Sequence, residues 1–248
     1  MTCVRQLLGY RAGDHDIEVP GLGLEPARTV HAMAFPISID VSSYSELTND
    51  PEVLDAAKRM REELGNPSKV VLGVDRLDYT KGIRHRLKAY GELLNDDSID
   101  PNDVVMVQVA TPSRERVDAY RQLRDEIELT VGRINGDHAP LGRPAISYMH
   151  RSFGRKDMTA LYMTADVLLV TSLRDGMNLV AKEYVASRAD ERGVLVLSEF
   201  TGAADELRAA TLVNPHDIDD LKTAILHALA MPVEEQEQHM HCLLYTSD

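Results

Sequence analysis

Short, continuous apolar runs alternate with amphipathic segments along most of this chain, and this alternation restricts the possible folds more than any other feature. Strands that are apolar on both faces are typical of a parallel sheet covered by helices on both sides. We predict six such strands, over residues 70–74, 104–109, 146–149, 167–170, 194–197 and 211–213. Helical spacing of apolar residues predicts helices over residues 83–94, 114–131, 158–163, 179–189, 203–207 and 218–230. The predicted fold class is therefore α/β, with a Rossmann-like doubly wound parallel sheet.

The two ends of the chain depart from this pattern. Residues 1–40 contain a candidate strand over 29–35 and are interpreted as the end of a truncated preceding domain. Residues 41–67 are predicted to form a connecting helix, and residues 68–235 the Rossmann-like domain. Helical composition continues through residue 237 but residues 242–248 do not extend it, so we predict an irregular tail over residues 236–248. Its residues need not be native, and a frayed natural tail is the alternative interpretation.

Composition excludes several classes of partner. The formal net charge of −13 disfavours nucleic acid, because a phosphate backbone needs a basic surface. The two cysteines, Cys3 and Cys242, lie near opposite ends, and no Cys and His cluster has metal-ligand spacing. We therefore expect no metal and a cytoplasmic location. No apolar run approaches the roughly 18 residues that span a bilayer, so no membrane partner is expected either.

The first candidate site follows the first predicted strand, in residues 73–82. Arg76 and Lys81 are five positions apart across a predicted turn, so both cations can converge on one anion. Arginine offers a fork for two phosphate oxygens and lysine a point charge. Simple surface pairing with Asp75 or Asp78 explains this motif equally well when it is taken alone.

The second candidate site is the segment at residues 174–183, which follows the strand predicted at 167–170 and opens a helix. Backbone N–H groups at a helix N-terminus bind anions. Asp175 and Glu183 bracket about two helical turns, and their carboxylates suit sugar and ribose hydroxyls. The simpler alternative is that Asp175 is only the N-cap of the helix.

Two further segments carry weaker signals. Arg114 follows the strand at 104–109 and could reach the same sheet edge, although an exposed arginine beside a helix cap is the simpler interpretation. Residues 132–136, GRING, have the glycine and asparagine content of a turn.

Taken together, these segments resemble glycosyltransferase family 20, the family of trehalose-6-phosphate synthases. The most specific part is the unbroken run LRDGMNLVAKEY at residues 173–184. VDRLDYTKG at 74–82, GRING at 132–136 and the segments at 194–204 and 213–215 add to it. The likeness extends over residues 4–235.

The resemblance implies the C-terminal domain of a GT-B glycosyltransferase. It implies transfer of glucose from UDP-glucose to glucose 6-phosphate, with retention at the anomeric carbon, to give trehalose 6-phosphate and UDP. ADP-glucose and GDP-glucose are left open as donors, and so is a homo-oligomer. No metal or other cofactor is implied.

The resemblance also assigns roles to residues. Arg76 and Lys81 match the diphosphate-binding pair, Asp175 matches the residue that binds the transferred glucose, and these three are the implied catalytic groups. Arg114 matches the residue that holds the phosphate of the acceptor, which replaces the simpler interpretation given above. The implied donor contacts are completed by Phe153 at the base and by Gly176, Met177, Asn178, Leu179, Val180, Ala181, Lys182 and Glu183, with Glu183 on the ribose.

One departure from the family limits the expected activity. Family members begin with a domain that supplies a glycine-rich loop over the donor and most acceptor contacts, and only its last part is expected in residues 1–40. We therefore predict weak nucleotide binding and little or no turnover by this chain alone. The alternatives are another retaining GT-B transferase, such as a glycogen synthase or a glucosylglycerol-phosphate synthase, and a non-catalytic nucleotide-sugar-binding module.

Overall fold

The structure is a computed structural model that describes residues 4–33, 35 and 37–247. It consists of two compact units, Met1–Ile37 and Ser38–Asp248. Cys3 and part of the strand predicted over 29–35 lie outside the described residues. That the first unit is the end of a preceding domain remains a prediction.

The first unit contains a small antiparallel sheet. One π-helical turn, Val4–Leu8, precedes strands β1 (Arg11–Ala12), β2 (Asp16–Val19) and β3 (Arg28–His31), which pair in the order β1-β2-β3. The Nδ1 atom of His31 lies 2.5 Å from the Oδ1 atom of Asp16 and joins β3 to β2. The predicted strand at 29–35 is thus an edge strand that ends at His31.

The second unit is built on a six-stranded parallel sheet, which confirms the predicted α/β fold. Its strands pair in the order β6-β5-β4-β7-β8-β9, and every neighbouring pair is parallel. The strands are β4 (Lys69–Arg76), β5 (Val104–Thr111), β6 (Ile146–Met149), β7 (Val167–Val170), β8 (Val194–Ser198) and β9 (Thr211–Val213).

Helices cover both faces of this sheet. Successive residues of β4 point to opposite sides, so Val71 belongs to one apolar cluster and Val70 and Leu72 belong to the other. The helices are α1 (Val41–Thr48), α2 (Pro51–Glu63), α3 (Ile83–Asn95), α4 (Asp118–His138), α5 (Arg155–Thr164), α6 (Leu179–Ala186), α7 (Ile218–Ala230) and α8 (Val233–Ser247). Among the residues that the structure describes, no helix is long and apolar enough to cross a membrane.

The segment predicted as a connecting helix over residues 41–67 contains two helices. Helix α1 ends at Thr48, and the Asp50 side chain caps α2 by accepting a hydrogen bond from the N–H of Glu52 at 2.9 Å. Pro51 follows at the first helical position, where its missing N–H costs nothing. A second helix therefore begins after Asp50.

The turn predicted at residues 132–136 is also wrong, because α4 continues through it to His138. Gly132 and Gly136 face open space, while Val131 is buried and Ile134 packs against the core, so the helix keeps its apolar face. At its other end α4 starts at Asp118 and not at Arg114. Arg114 has a φ of +46°, in the left-handed region, which a helix excludes.

The irregular tail predicted over residues 236–248 is wrong in its secondary structure. Helix α8 continues to Ser247, and Met240 and Leu243 are buried in the second apolar cluster. The Gln236 side chain accepts a hydrogen bond from the N–H of Gly193 at 2.9 Å and donates one to the carbonyl of Met231 at 2.8 Å. Tertiary contacts thus hold a segment that has weak helical periodicity of its own.

Candidate functional site

The sheet order creates a crevice between β4 and β7. The chain runs from β4 outward to β5 and β6 and then returns to place β7 on the opposite side of β4. The connections that leave the carboxyl ends of β4 and β7 therefore diverge, and ligands of open α/β sheets bind at such a point. The two loops at this place are residues 77–82 and 171–178, which contain the two main motifs of the sequence.

A glycine allows the two loops to touch. Gly82 has a φ of +67°, and a Cβ atom at this position would lie 2.0 Å from the carbonyl oxygen of Thr171. Beside this contact, the N–H of Leu173 donates a hydrogen bond to the carbonyl of Thr80 at 2.7 Å. The backbones of the two loops are thus in direct contact, which only glycine permits at residue 82.

An ion pair joins the same loops at the level of the side chains. The Nζ atom of Lys81 lies 2.5 Å from the Oδ2 atom of Asp175, and each side chain is 17% exposed. Asn178 also donates to Oδ2, from Nδ2 at 3.1 Å. The two charges predicted to contact the diphosphate and the transferred sugar therefore lie next to each other.

The environment of Asp175 keeps its carboxyl ionised. Burial alone would raise the pKa of Asp175, but the hydrogen bond and charge of Lys81, with the hydrogen bond from Asn178, outweigh it. The pKa of Asp175 therefore lies below its ordinary value of 3.8. An ionised carboxylate accepts hydrogen bonds only, and hydroxyl groups of a sugar would supply them.

Asp175 is not the cap of the following helix. The cap of α6 is Asn178, whose side chain accepts a hydrogen bond from the N–H of Ala181 at 3.1 Å. Asn178 adopts a left-handed conformation, with a φ of +81°. Because capping is done by another residue, the simpler interpretation of Asp175 does not hold, and its carboxylate is turned to Lys81 instead.

Arg76 lies at the end of β4, beside a buried carboxylate. Its Nη2 atom donates to Asp78 Oδ2 at 3.4 Å, and its side chain is 56% exposed. The same Oδ2 atom accepts a hydrogen bond from the hydroxyl of Tyr120 at 3.1 Å, and that hydroxyl accepts one from Nη1 of Arg114 at 3.1 Å. A continuous chain of hydrogen bonds therefore connects Arg114, on the loop after β5, with Arg76.

The remaining predicted donor residues fall into two groups. Gly176, Met177, Leu179 and Val180 are partly or fully exposed, in the loop after β7 and the first turn of α6. Apart from the N–H of Ala181, which donates to Asn178, the first N–H groups of α6 have no partner within the helix, so they can serve an anion there. Ala181 and Lys182 are buried, and the Lys182 ammonium lies 2.5 Å from Glu206 Oε2. The Lys182 side chain is therefore paired with Glu206.

Glu183 is held by a tyrosine behind α6. The hydroxyl of Tyr162 donates to Oε2 of Glu183 at 2.8 Å. Burial and the Glu183 carboxylate together raise the pKa of Tyr162 well above its ordinary value of 10. Burial and the same carboxylate also raise the pKa of Tyr44, on α1, to about 12, against the opposing charge of Arg155. Both phenols therefore stay protonated beside the carboxylate.

Phe153 lies between β6 and α5, in the loop that leaves the carboxyl end of β6. It packs against the same apolar cluster as Met177 and Val180. The guanidinium carbon of Arg151 lies 4.6 Å from the centre of its ring. The ring thus has an apolar contact and a cation contact, and the role of Phe153 at a nucleotide base stays a prediction.

A buried ion pair supports the crevice from below. The Nη1 atom of Arg86, on α3, donates to Asp75 Oδ2 and Gln108 Oε1, both at 2.8 Å. Its Nε atom donates to Thr171 Oγ1 at 3.1 Å. Arg86 is fully buried and so connects the ends of β4, β5 and β7 beneath the two loops.

Sequence reasoning missed several of these residues. Arg86 could have been found, since it shares the face of α3 that carries the apolar residues Ile83 and Tyr90, and a charged residue on such a face needs a buried partner. Tyr120 and Tyr162 gave no such signal, because each lies on a helix face that looks like ordinary core.

Comparison with known proteins agrees with this architecture. The model of the family described as Glycosyltransferase family 20 matches residues 1–246. The trehalose-6-phosphate synthase of Mycobacterium avium (strain 104) is 55% identical over 239 residues, which are 96% of this chain and 47% of that protein. The chain thus spans about half the length of the curated relatives that it matches.

Solved structures show the same fold. An alpha,alpha-trehalose-phosphate synthase (UDP-forming) from Burkholderia xenovorans, in complex with glucose-6-phosphate, superposes with a TM-score of 0.86 at 38% identity, over 96% of this chain and 51% of that one. An E. coli structure bound with UDP-2-fluoro glucose gives 0.87 at 34% identity, over 99% and 53%. The sheet, the crevice motifs and these likenesses together place the chain in glycosyltransferase family 20.

Proposed function

We propose that this chain carries the donor side of a retaining glucosyltransferase active site. The reaction is transfer of glucose from UDP-glucose to glucose 6-phosphate, which gives trehalose 6-phosphate and UDP. The observation that carries the proposal is the ion pair of Lys81 with Asp175 at the crevice between β4 and β7, with Arg76 at the end of β4.

The chemistry asks for charge stabilisation more than for a nucleophile. As the bond between glucose and UDP breaks, negative charge grows on the diphosphate, and retention follows when the acceptor hydroxyl attacks on the face that UDP leaves. The leaving phosphate can take the proton of that hydroxyl. Arg76 and Lys81 would stabilise the growing charge, while Asp175 would fix the sugar through its hydroxyls.

The ion pair between Lys81 and Asp175 is compatible with this role. An ammonium group has three donors, so one bond to Asp175 leaves two for phosphate oxygens. The carboxylate in turn orients the lysine at the crevice. Each group thus orients the other, which reduces the cost of ordering them on binding.

Calorimetry on the whole chain tests the donor assignment. UDP, ADP and GDP are titrated into the parent and into the Arg76→Ala, Lys81→Ala double variant. We expect UDP to bind the parent in preference to ADP and GDP, and the double variant to lose binding by at least tenfold, since two charged hydrogen-bond donors are removed. The Arg84→Ala, Lys88→Ala variant is the matched control, because it removes two exposed cations of α3. Equal binding by the double variant and the parent would exclude the diphosphate role.

The acceptor assignment rests on Arg114. Its guanidinium is exposed at the same sheet edge, on the loop after β5, where an anionic group can reach it. Saturation-transfer NMR with glucose 6-phosphate measures this contact, and Arg114→Ala should weaken the signal while Arg116→Ala, two positions away, should not. A cytoplasmic location is proposed with this activity, since both substrates are phosphorylated metabolites.

A further inference from the structure

Arg76 is weakly held in this structure, although it stands beside a buried carboxylate. Among the residues that the structure describes, it makes one hydrogen bond, of 3.4 Å to Asp78, at the long end of the hydrogen-bond range, and its side chain is 56% exposed. The Asp78 side chain is only 7% exposed. A buried carboxylate that lost its cation without compensation would be costly, and this cost would oppose transfer of Arg76 to a ligand.

Three hydrogen-bond donors other than Arg76 satisfy the Asp78 carboxylate. Its Oδ1 atom accepts hydrogen bonds from the N–H of Thr80 at 2.9 Å and from the Thr80 hydroxyl at 2.8 Å. Its Oδ2 atom, the one that Arg76 contacts, accepts the Tyr120 hydroxyl at 3.1 Å. Burial would raise the pKa of Asp78, but these bonds and Arg76 bring it below the ordinary value of 3.8. On Oδ2, Tyr120 is therefore the partner that stays when Arg76 leaves.

We propose that Tyr120 is a positioning residue for the donor diphosphate. Its hydroxyl satisfies Asp78 Oδ2, so that Arg76 can move from Asp78 to the diphosphate without leaving a bare buried charge. The inference rests on the proposed function, because it gives Arg76 a diphosphate to bind. Without the hydroxyl, Asp78 would depend on Arg76, and the diphosphate would have to compete with the carboxylate for the same guanidinium.

Arg114 contacts the Tyr120 hydroxyl and strengthens its hydrogen bond to Asp78. Its Nη1 atom donates to the oxygen of the Tyr120 hydroxyl at 3.1 Å, and its guanidinium carbon lies 5.6 Å from the centre of the Tyr120 ring. A donor bonded to a hydroxyl oxygen makes the O–H group a better donor in its turn. The hydroxyl is therefore aimed at Asp78 by a residue with its own exposed positive charge.

A double-mutant cycle distinguishes this role from a merely structural one. UDP is titrated into the parent, Tyr120→Phe, Asp78→Asn and the double variant, with circular dichroism and melting temperature recorded for each. Tyr120→Phe should weaken UDP binding about three- to tenfold, the range expected for one hydrogen bond. In the Asp78→Asn background the same change should have no effect, because no carboxylate competes for Arg76.

Asp78→Asn also gives a result that does not depend on the folding of Tyr120→Phe. It releases Arg76 and removes a negative charge, so UDP should bind this variant at least as tightly as the parent. Tyr79→Phe is the matched control, since Tyr79 packs edge-on against Tyr120 with a ring distance of 5.9 Å, and it should not change UDP binding. Uridine, which has no phosphate, should show no difference between the parent and Tyr120→Phe by NMR.

The outcomes separate the two proposals. Unchanged UDP binding by Tyr120→Phe, an equal loss in both backgrounds, or weaker binding by Asp78→Asn would each overturn the role of Tyr120 and leave the donor site standing. A parent chain that does not bind UDP would overturn the proposed function, and this inference with it.

Discussion

The ammonium of Lys81 lies 2.5 Å from the carboxylate of Asp175, although the two residues are 94 positions apart in the chain. The pair joins the loops that leave β4 and β7, next to the point where Gly82 contacts Thr171. Each side chain is mostly buried, so each charge needs the other. The ion pair and the backbone contact therefore hold the two loops of the candidate site together.

Removal of the Lys81 charge should weaken nucleotide binding. Lys81→Met keeps much of the apolar stem but removes a charged hydrogen-bond donor, for which about 1.5–3 kcal/mol of UDP binding, or roughly ten- to a hundredfold, is expected. Calorimetry measures the loss. Lys88→Met, at an exposed lysine of α3, is the control and should bind like the parent. Equal losses in the two variants would point to a general charge effect and not to the crevice.

The lowered pKa of Asp175 predicts how stability depends on pH. A carboxyl whose pKa is lower in the folded state adds stability above its unfolded pKa, near 3.8, and loses it as the pH falls through the folded value. Urea unfolding of Asp175→Asn should therefore show lower stability than the parent near pH 7, and the two curves should converge below about pH 4. Asp125→Asn, at an exposed position of α4, should run parallel to the parent at every pH.

Two glycine substitutions should act in opposite directions. Gly82→Ala adds a Cβ atom 2.0 Å from the Thr171 carbonyl oxygen, at a φ of +67°, so it should force the loops apart. We expect it to lower the free energy of unfolding by about 1–3 kcal/mol and to weaken UDP binding. Gly136 lies inside α4, and a Cβ atom there would meet nothing within 4 Å. Gly136→Ala should therefore raise the free energy of unfolding by about 0.5–1 kcal/mol. Thermal unfolding of both variants tests this contrast.

Loss of the buried arginine should be costly. Arg86→Met leaves Asp75 buried without its cation, and about 3–5 kcal/mol of the free energy of unfolding should be lost. Arg84→Met removes an exposed pair with Glu126, whose side chains are 54% and 55% exposed, and should cost less than about 1 kcal/mol. Chemical denaturation measures both, and similar losses would contradict the supporting role of Arg86.

The sequence predicted the sheet well because its strands are apolar on both faces. The limits of β6, β7, β9 and α7 agree with the predicted ones, since each element is a compact apolar or amphipathic block between polar residues. The wrong predictions for α4 and α8 are explained by tertiary packing. Helix α4 runs through Gly132 and Gly136 because its buried face continues, and α8 is helical because Met240 finds a pocket in the core.

The sequence likewise predicted one part of the candidate site and missed another. Arg76, Lys81 and Asp175 were expected to share one edge because the carboxyl ends of parallel strands meet there, and the structure places them at that edge. The hydrogen bond of Tyr120 to Asp78 spans 42 positions, and that of Tyr162 to Glu183 crosses from one helix to another. Such contacts depend on side-chain direction in the packed domain, which spacing along a chain does not give.

The return of the chain from β6 to β7 also determines when the site can form. Lys81 and Asp175 can meet only after β7 has docked beside β4, which closes a loop of nearly a hundred residues. Such distant pairings form late and slowly, because chain entropy must be lost before any contact compensates for it. A stretch of the domain that lacks β7 therefore cannot form this pair, and a proteolytic cut between the two loops would leave Lys81 and Asp175 on separate pieces of chain.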